Sequence, residues 1–408
     1  MNLVVAVCLL TLLGGYLFKA QCTAAEGWDG RQYSRLCYND IQPLYGVREI
    51  GSRTFPYVNG ELTDQELTGG AIEYPVLTGL FMWLAGLLVA DANAYLRVSA
   101  LLLAPVGVLT AYLLARMRGP RSLMWAAAPA LVLYAFHNWD LLAVAAAVAG
   151  MWFWWRGAPL WAAVAFGVGG AFKLYPAFLL APLALYELKE RGLQAAVRTA
   201  LVGGGTLAAI NLPFALVNFE GWSATYRFHS ARVGNFDSIW NLGFPHLGAD
   251  ALNLVTGGLT ALAFVAALAV GWRRSRTDGV YPFLEVSAAL VAAFLLFSKV
   301  HSPQYTLWLL PFLVMTRVHL GWWIAYSIVD LFVYVGVFRW FYDSIYEGQD
   351  FTLFKKMMIA GVWGRAALLL ALYVVFLQVR TLRRGEAPAT SMSHPVPIVG
   401  SSEDLRPA

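Results

Sequence analysis

Charged residues are scarce, at 13% of the 408 residues, against about 25% in an ordinary soluble domain. That scarcity excludes a soluble enzyme. Polar segments are short as well, and none is long enough to build a core of its own, so no soluble domain is attached. Strict apolar–polar alternation is missing, which excludes an outer-membrane barrel. Internal repeats are missing, which weakens a transporter built on inverted repeats. There is no Asp-x-Asp motif and no His/Cys cluster with ligand spacing, so neither a metal nor a cofactor is expected. Cysteine is limited to three residues: Cys8 sits in the first apolar run, and Cys22 and Cys37 flank one polar segment. The last two would pair if that segment faces an oxidising side; two free thiols are the alternative.

What is present is hydrophobic surface. Apolar residues make up 59% of the chain, in runs of spanning length along most of it, which predicts an all-α polytopic membrane protein. The net charge of +5 is therefore no nucleic-acid signal; the bilayer is the expected partner. Basic residues cluster beside the apolar runs, at Arg116–Arg121, Arg156, Lys189–Arg198, Arg273–Arg276, Arg317 and Arg380–Arg384. The positive-inside rule assigns these clusters to the cytoplasm. With Met1 inside, residues 19–94 form a first extracytoplasmic loop. Tyr74–Ala90 and Tyr95–Ala115 cannot then both span, or every later cluster inverts. Tyr74–Ala90 is the shorter and carries a proline and two glycines, so an embedded helix over 74–90 is expected; two spans with one exception to the charge rule is the alternative. The other expected spans are Leu123–His137, Leu141–Trp155, Leu160–Phe172, Tyr175–Leu188, Ala196–Val217, Leu252–Trp272, Tyr281–Lys299, Tyr305–Thr316, Leu320–Phe338 and Met357–Val379. These make one transmembrane domain over 1–384, with about twelve helices and both termini cytoplasmic, in the plasma membrane. A Pro/Ser/Ala-rich tail over 385–408 is expected to be disordered.

This topology gathers the polar stretches outside: the loop with Asn39 and Asp40, followed by Arg48 and Arg53; His137–Asp140; Lys173–Pro176; the loop Asn218–Asn241 with Arg227; His301–Tyr305; and the loop Arg339–Asp350. Ionisable groups at span ends usually face a cavity or a partner. Asp140 reads as a helix N-cap or as a site residue, and the two roles are compatible. Lys173, three residues before a helix-breaking proline, is either snorkelling or placed for an anionic head group. His301 is either a satisfied interfacial histidine or a ligand contact. Asn138, Tyr175, Gln304 and Tyr305 accompany them as candidates for substrate contact. Asp330 and Glu285 read as structural or relay groups within spans, and Arg365 as a partnered cation.

Five stretches, CYNDIQPLYG, GGAIEYPVLTGLFMW, HNWDLLAVA, GGAFKLYP and HSPQYTLWLLP, resemble glycosyltransferase family 87 of the GT-C superfamily, over roughly residues 1–385. Its best-known members are actinobacterial mannosyltransferases dependent on polyprenyl-phosphate mannose. The resemblance implies a GT-C fold with helices of the first external loop embedded in the outer leaflet. It implies an inverting transfer from a polyprenyl-phosphate sugar to a hydroxyl of a glycolipid or envelope glycan, with Asp40 as the general base. Asp140 would line the same cavity. Lys173, His301 and one of Arg48, Arg53 or Arg227 would stabilise the leaving phosphate. Another sugar donor (arabinose, glucose), a secondary transporter or lipid flippase, and a non-catalytic scaffold are the competing readings.

Overall fold

In the computed structural model, residues 1–23 and 29–386 are described; the expected tail beyond residue 386 lies outside the described residues. The chain opens with α1 (Asn2–Ala20) and two short helices, α2 (Arg31–Ser34) and α3 (Ile41–Val47). A hairpin follows, β1 (Glu61–Thr63) and β2 (Glu66–Thr68), antiparallel with Glu61 opposite Thr68. Asp64 and Gln65 both take positive φ at its turn, the backbone that a two-residue hairpin requires. Then come α4 (Val76–Gly86), α5 (Ala92–Arg118), α6 (Leu123–Ala126), α7 (Pro129–Tyr134), α8 (Asp140–Trp155), α9 (Pro159–Phe172), α10 (Tyr175–Phe178) and α11 (Leu180–Arg191). The remainder is α12 (Leu193–Val217), α13 (Phe219–Ala231), α14 (Ile239–Gly243), α15 (Ala249–Asp278), α16 (Phe283–Phe297), α17 (Thr306–Met315), α18 (Leu320–Tyr346) and α19 (Leu353–Gln378).

Length sorts these helices into two layers. Among the described residues, six segments are long and apolar enough to cross a membrane: Asn2–Ala20, Ala92–Ala126, Leu193–Val217, Ala249–Asp278, Leu320–Tyr346 and Leu353–Gln378. The outermost carry exposed leucines such as Leu201, Leu254 and Leu262, as a lipid-facing surface should. Two short apolar helices lie inside: all ten residues of α17 are buried, and so is nearly all of α16. A helix apolar on every side needs such a surround, and helices too short for a ~30 Å core are tolerated where their ends meet protein or a cavity. The helices α18 and α19 pack through glycines: a Cβ on Gly336 would stand 2.5 Å from the Met358 backbone nitrogen.

Several expected boundaries need correction. Leu123–His137 is not one helix but α6 and α7, because Pro129 lacks the N–H that would continue it and starts a new helix instead. Tyr175–Leu188 divides at Leu179 into α10 and α11. Asn218–Asn241 is not an irregular loop; Asn218 caps α13 by accepting from the Gly221 amide, and Ser238 caps α14 by accepting from Asn241. Likewise Arg339–Tyr346 continues α18.

The two ends of the bundle differ. At one end the basic clusters meet. Arg121 donates to the carbonyls of Leu313, Val314 and Val318, Arg274 to those of Leu377 and Val379, and Arg317 pairs with Glu386. The other end holds Asp40, Lys173 and His301. Both the C-terminus of α1 and the N-terminus of α5 lie there, tied through Gln42, which donates to Asn93 Oδ1 at 2.8 Å. The segment between them thus returns to the end it left. Its apolar helix α4 has 11 residues, about 16 Å long at 1.5 Å per residue.

Candidate active site

Asp40 immediately precedes α3, but its side chain does not cap that helix. Asn39 does that work: its Oδ1 accepts from the Gln42 amide at 2.9 Å and its Nδ2 donates to Gln42 Oε1 at 2.7 Å. The Asp40 amide donates to the His137 carbonyl at 2.7 Å, which leaves the carboxylate to turn away from its own helix. Oδ2 accepts from Asn138 Nδ2 at 2.9 Å and lies 3.9 Å from His137 Nε2. Burial raises the Asp40 carboxyl above the usual carboxylate range, while hydrogen bonds from Asn138 and Tyr38 partly hold it down. The loop is anchored by a Cys22–Cys37 disulfide and by Lys19, fully buried, which donates to the Tyr38 carbonyl at 2.6 Å and the Tyr334 hydroxyl at 2.9 Å.

Asp140 is the first residue of α8 and makes no cap hydrogen bond, so the capping role does not hold. Its Oδ1 accepts from Trp308 Nε1 at 2.7 Å, and its Oδ2 lies 3.6 Å from Lys173 Nζ. Lys173 ends α9 in extended backbone and does not snorkel to the surface. Its ammonium sits 4.2 Å from the Tyr74 ring centroid and 5.9 Å from that of Tyr305, within cation–π range of both. Tyr305 and Tyr175 stack on Trp308, at 3.9 Å and 4.4 Å between centroids.

Two cavities meet at this lysine. One, of about 570 Å³, has a mainly apolar surface and is lined by α13, α15 and α16, with Phe264, Phe294 and Tyr175 of α10 among its walls. The other, of about 350 Å³, holds Asp40, His137, Asp237, His301 and Gln304. Glu73, Tyr74, Lys173, His229 and Tyr305 border both. His229 Nε2 lies 2.8 Å from the Glu73 carbonyl, so that nitrogen carries the proton, and burial keeps the ring's pKa below its ordinary value.

The polar cavity has one further wall. Asp237 is fully buried; Arg365 Nη2 donates to its backbone carbonyl at 2.6 Å and lies 3.8 Å from Oδ2. Burial pushes the Asp237 carboxyl up to about 6 despite that arginine. Among the described residues, neither carboxylate oxygen accepts a hydrogen bond, neither ring nitrogen of His301 has a partner, and Gln304 Oε1 has none. A buried polar atom left so costs about 1–3 kcal/mol. Burial first, and then Arg365, hold the His301 pKa well below its ordinary value, so this ring offers a hydrogen bond to the cavity and no positive charge.

Three of the expected arginines stand apart from the cavities. Arg48 pairs with Glu73 and lies over the Phe228 ring. Arg227 pairs with Glu220 at an exposed site. Arg53 is exposed, its carbonyl accepting from Trp83 Nε1. Asn39 braces the start of α3 through Gln42 and lines neither cavity. The cavity residues that were not among the sequence candidates include Glu73, Tyr74, His229, Arg232, Asn235 and Asp237, and Lys19 stands behind them. Glu73 and Tyr74 belong to the stretch GGAIEYPVLTGLFMW, which is the signal that could have found them. Lys19 reads as the start of a loop, and only tertiary packing shows it buried.

The model of glycosyltransferase family 87 matches residues 72–303, more than half of the chain. The matched stretch includes Tyr74, Asp140, Lys173, Asp237 and His301, and stops short of Asp40 on one side and Gln304 on the other. No curated protein matches the chain. With a glycosyltransferase family model over the stretch that builds most of both cavities, this helical membrane protein belongs to glycosyltransferase family 87.

Proposed function

We propose that the chain transfers a sugar, mannose in the first instance, from a polyprenyl-phosphate donor to a hydroxyl of a glycolipid or envelope glycan on the outer face of the plasma membrane. The meeting of an apolar and a polar cavity at Lys173 carries the reading. A polyprenyl-phosphate sugar has an apolar tail, an anionic link and a polar ring in that order. The tail suits the apolar cavity, the phosphate suits the lysine, and the ring suits the cavity with Asp40.

The chemistry follows from the side chains. Asp40 takes the proton of the acceptor hydroxyl, and its raised pKa makes it a better base near neutrality. The acceptor oxygen forms its bond to the anomeric carbon as the bond to the phosphate oxygen breaks. The phosphate leaves with the electron pair, and the single displacement inverts the anomeric centre. Lys173, oriented by Asp140, faces the negative charge that develops on the leaving group. With a protein cation in that place, no metal is required. Asn39, Arg48, Arg53 and Arg227 drop out as phosphate or sugar contacts on this reading.

Purified protein in nanodiscs, given synthetic polyprenyl-phosphate mannose and a lipid extract, tests it. Asp40→Asn should lower kcat by roughly 100-fold or more, the range for loss of a general base. Equal turnover by variant and wild type would remove Asp40 from the reaction.

A further inference from the structure

Asp237 has no role in the proposed transfer step, yet it is fully buried and lines the cavity where that step would occur. It comes from the turn between α13 and α14, His301 and Gln304 from the segment between α16 and α17. The two segments are bound together: the Asn235 amide donates to the Lys299 carbonyl at 3.0 Å, and Asn235 Nδ2 to the His301 carbonyl at 2.9 Å. The two segments are therefore held together, and the three side chains carry five buried polar atoms without hydrogen-bond partners among the described residues.

The chemistry of those atoms is selective. The two Asp237 oxygens and Gln304 Oε1 only accept, and a neutral His301 accepts at one nitrogen and donates at the other. Four of the five atoms thus call for a donor. A phosphate or carboxylate, which only accepts, would leave them unpaired. Arg365 already offsets the Asp237 charge, so the set does not call for a cation either. Phe236, Phe338, Phe341 and Tyr33 line the same cavity, with Phe236 and Phe341 packed edge-to-face at 4.5 Å between centroids. Aromatic walls with a few convergent polar groups mark a ligand site. A neutral molecule rich in hydroxyl donors, with an apolar C–H face, fits both walls.

We propose that Asp237, His301 and Gln304 form a sugar-ring subsite, with Asp237 as its specificity-determining anchor. The inference rests on the transfer reading for its context. A sugar ring is common to donor and acceptor, and the test separates the two sources.

Wild type, Asp237→Asn and Gln304→Met are compared in nanodiscs. Binding of methyl α-mannopyranoside is followed by saturation-transfer NMR, and KM is measured for polyprenyl-phosphate mannose and for the acceptor separately. Both variants should weaken glycoside binding about 10-fold or more and raise KM for one substrate roughly 10- to 100-fold, since each loses a hydrogen bond to a buried partner. A rise in donor KM assigns the donor ring, and a rise in acceptor KM the acceptor ring. Unchanged glycoside binding and unchanged KM for both substrates in both variants overturns the subsite. Should Asp237→Asn fail to melt cooperatively, Gln304→Met alone decides in the same way. If wild type turns over no polyprenyl-phosphate sugar but binds the glycoside, and the variants lose that binding, the subsite stands and the transfer reading falls. Turnover by wild type, with binding and KM insensitive to both substitutions, overturns the subsite and leaves the transfer reading in place.

Discussion

Asp140 and Lys173 form a buried ion pair, with 3.6 Å between Oδ2 and Nζ, at the junction of two cavities. Removing one partner leaves a buried charge without compensation, which costs about 3–5 kcal/mol, whereas replacing both by apolar groups is often neutral. Lys173→Met and Asp140→Leu should each lower the melting temperature of the protein in nanodiscs. The double variant should recover most of that loss and remain inactive. A double variant as active as wild type would show that the lysine has no part in the reaction.

The pH profile follows from Asp40. Its carboxyl sits above the ordinary range because burial disfavours the charged form, and the Asn138 hydrogen bond pulls it part of the way back. A base must be ionised, so activity falls as pH drops through this raised value. Asn138→Leu removes a bond to the ionised form and should move the acid limb of kcat/KM to still higher pH. An acid limb that stays in place, or moves down, contradicts the assignment.

The Cys22–Cys37 disulfide closes a separation of 15 residues in sequence, and chain-entropy arguments give about 3 kcal/mol for such a loop. Mild reduction, or a Cys22→Ser/Cys37→Ser pair, should raise hydrogen exchange in residues 29–40 before the helices melt. Exchange there equal to that of the oxidised protein would mean that Lys19 alone anchors the loop.

Chelation offers a fourth check. With Lys173 at the leaving group, turnover should persist after incubation with EDTA and removal of the chelated ions. Loss of activity that returns with one divalent metal would replace the lysine with that metal as the electrophile.

The sequence is legible where local chemistry decides the outcome. Pro176 marks a helix break as its chemistry requires, and Pro129 does the same inside Leu123–His137, where apolar periodicity alone suggests one continuous span. The runs that become α16 and α17 are too short for a lipid-facing span, and both helices are buried. Asn39 and Asp40 look alike in a loop, and only the hydrogen bonds to Gln42 separate brace from carboxylate. The arginines mislead for a related reason. A cation near an acidic stretch can pair locally, as Arg48 does with Glu73 and Arg227 with Glu220, and one chain offers no hint of that pairing. Asp237 stays hidden because its partner, Arg365, lies 128 residues away.

The shared border at Lys173 has a consequence for probe design. A compound that fills one cavity gains only that cavity's contacts. Linking an isoprenoid-like chain to a polyol head through an anionic group makes the second contact intramolecular, so the two affinities multiply through effective concentration as far as the linker matches the span. Neither half alone would be a fair measure of what this protein can hold.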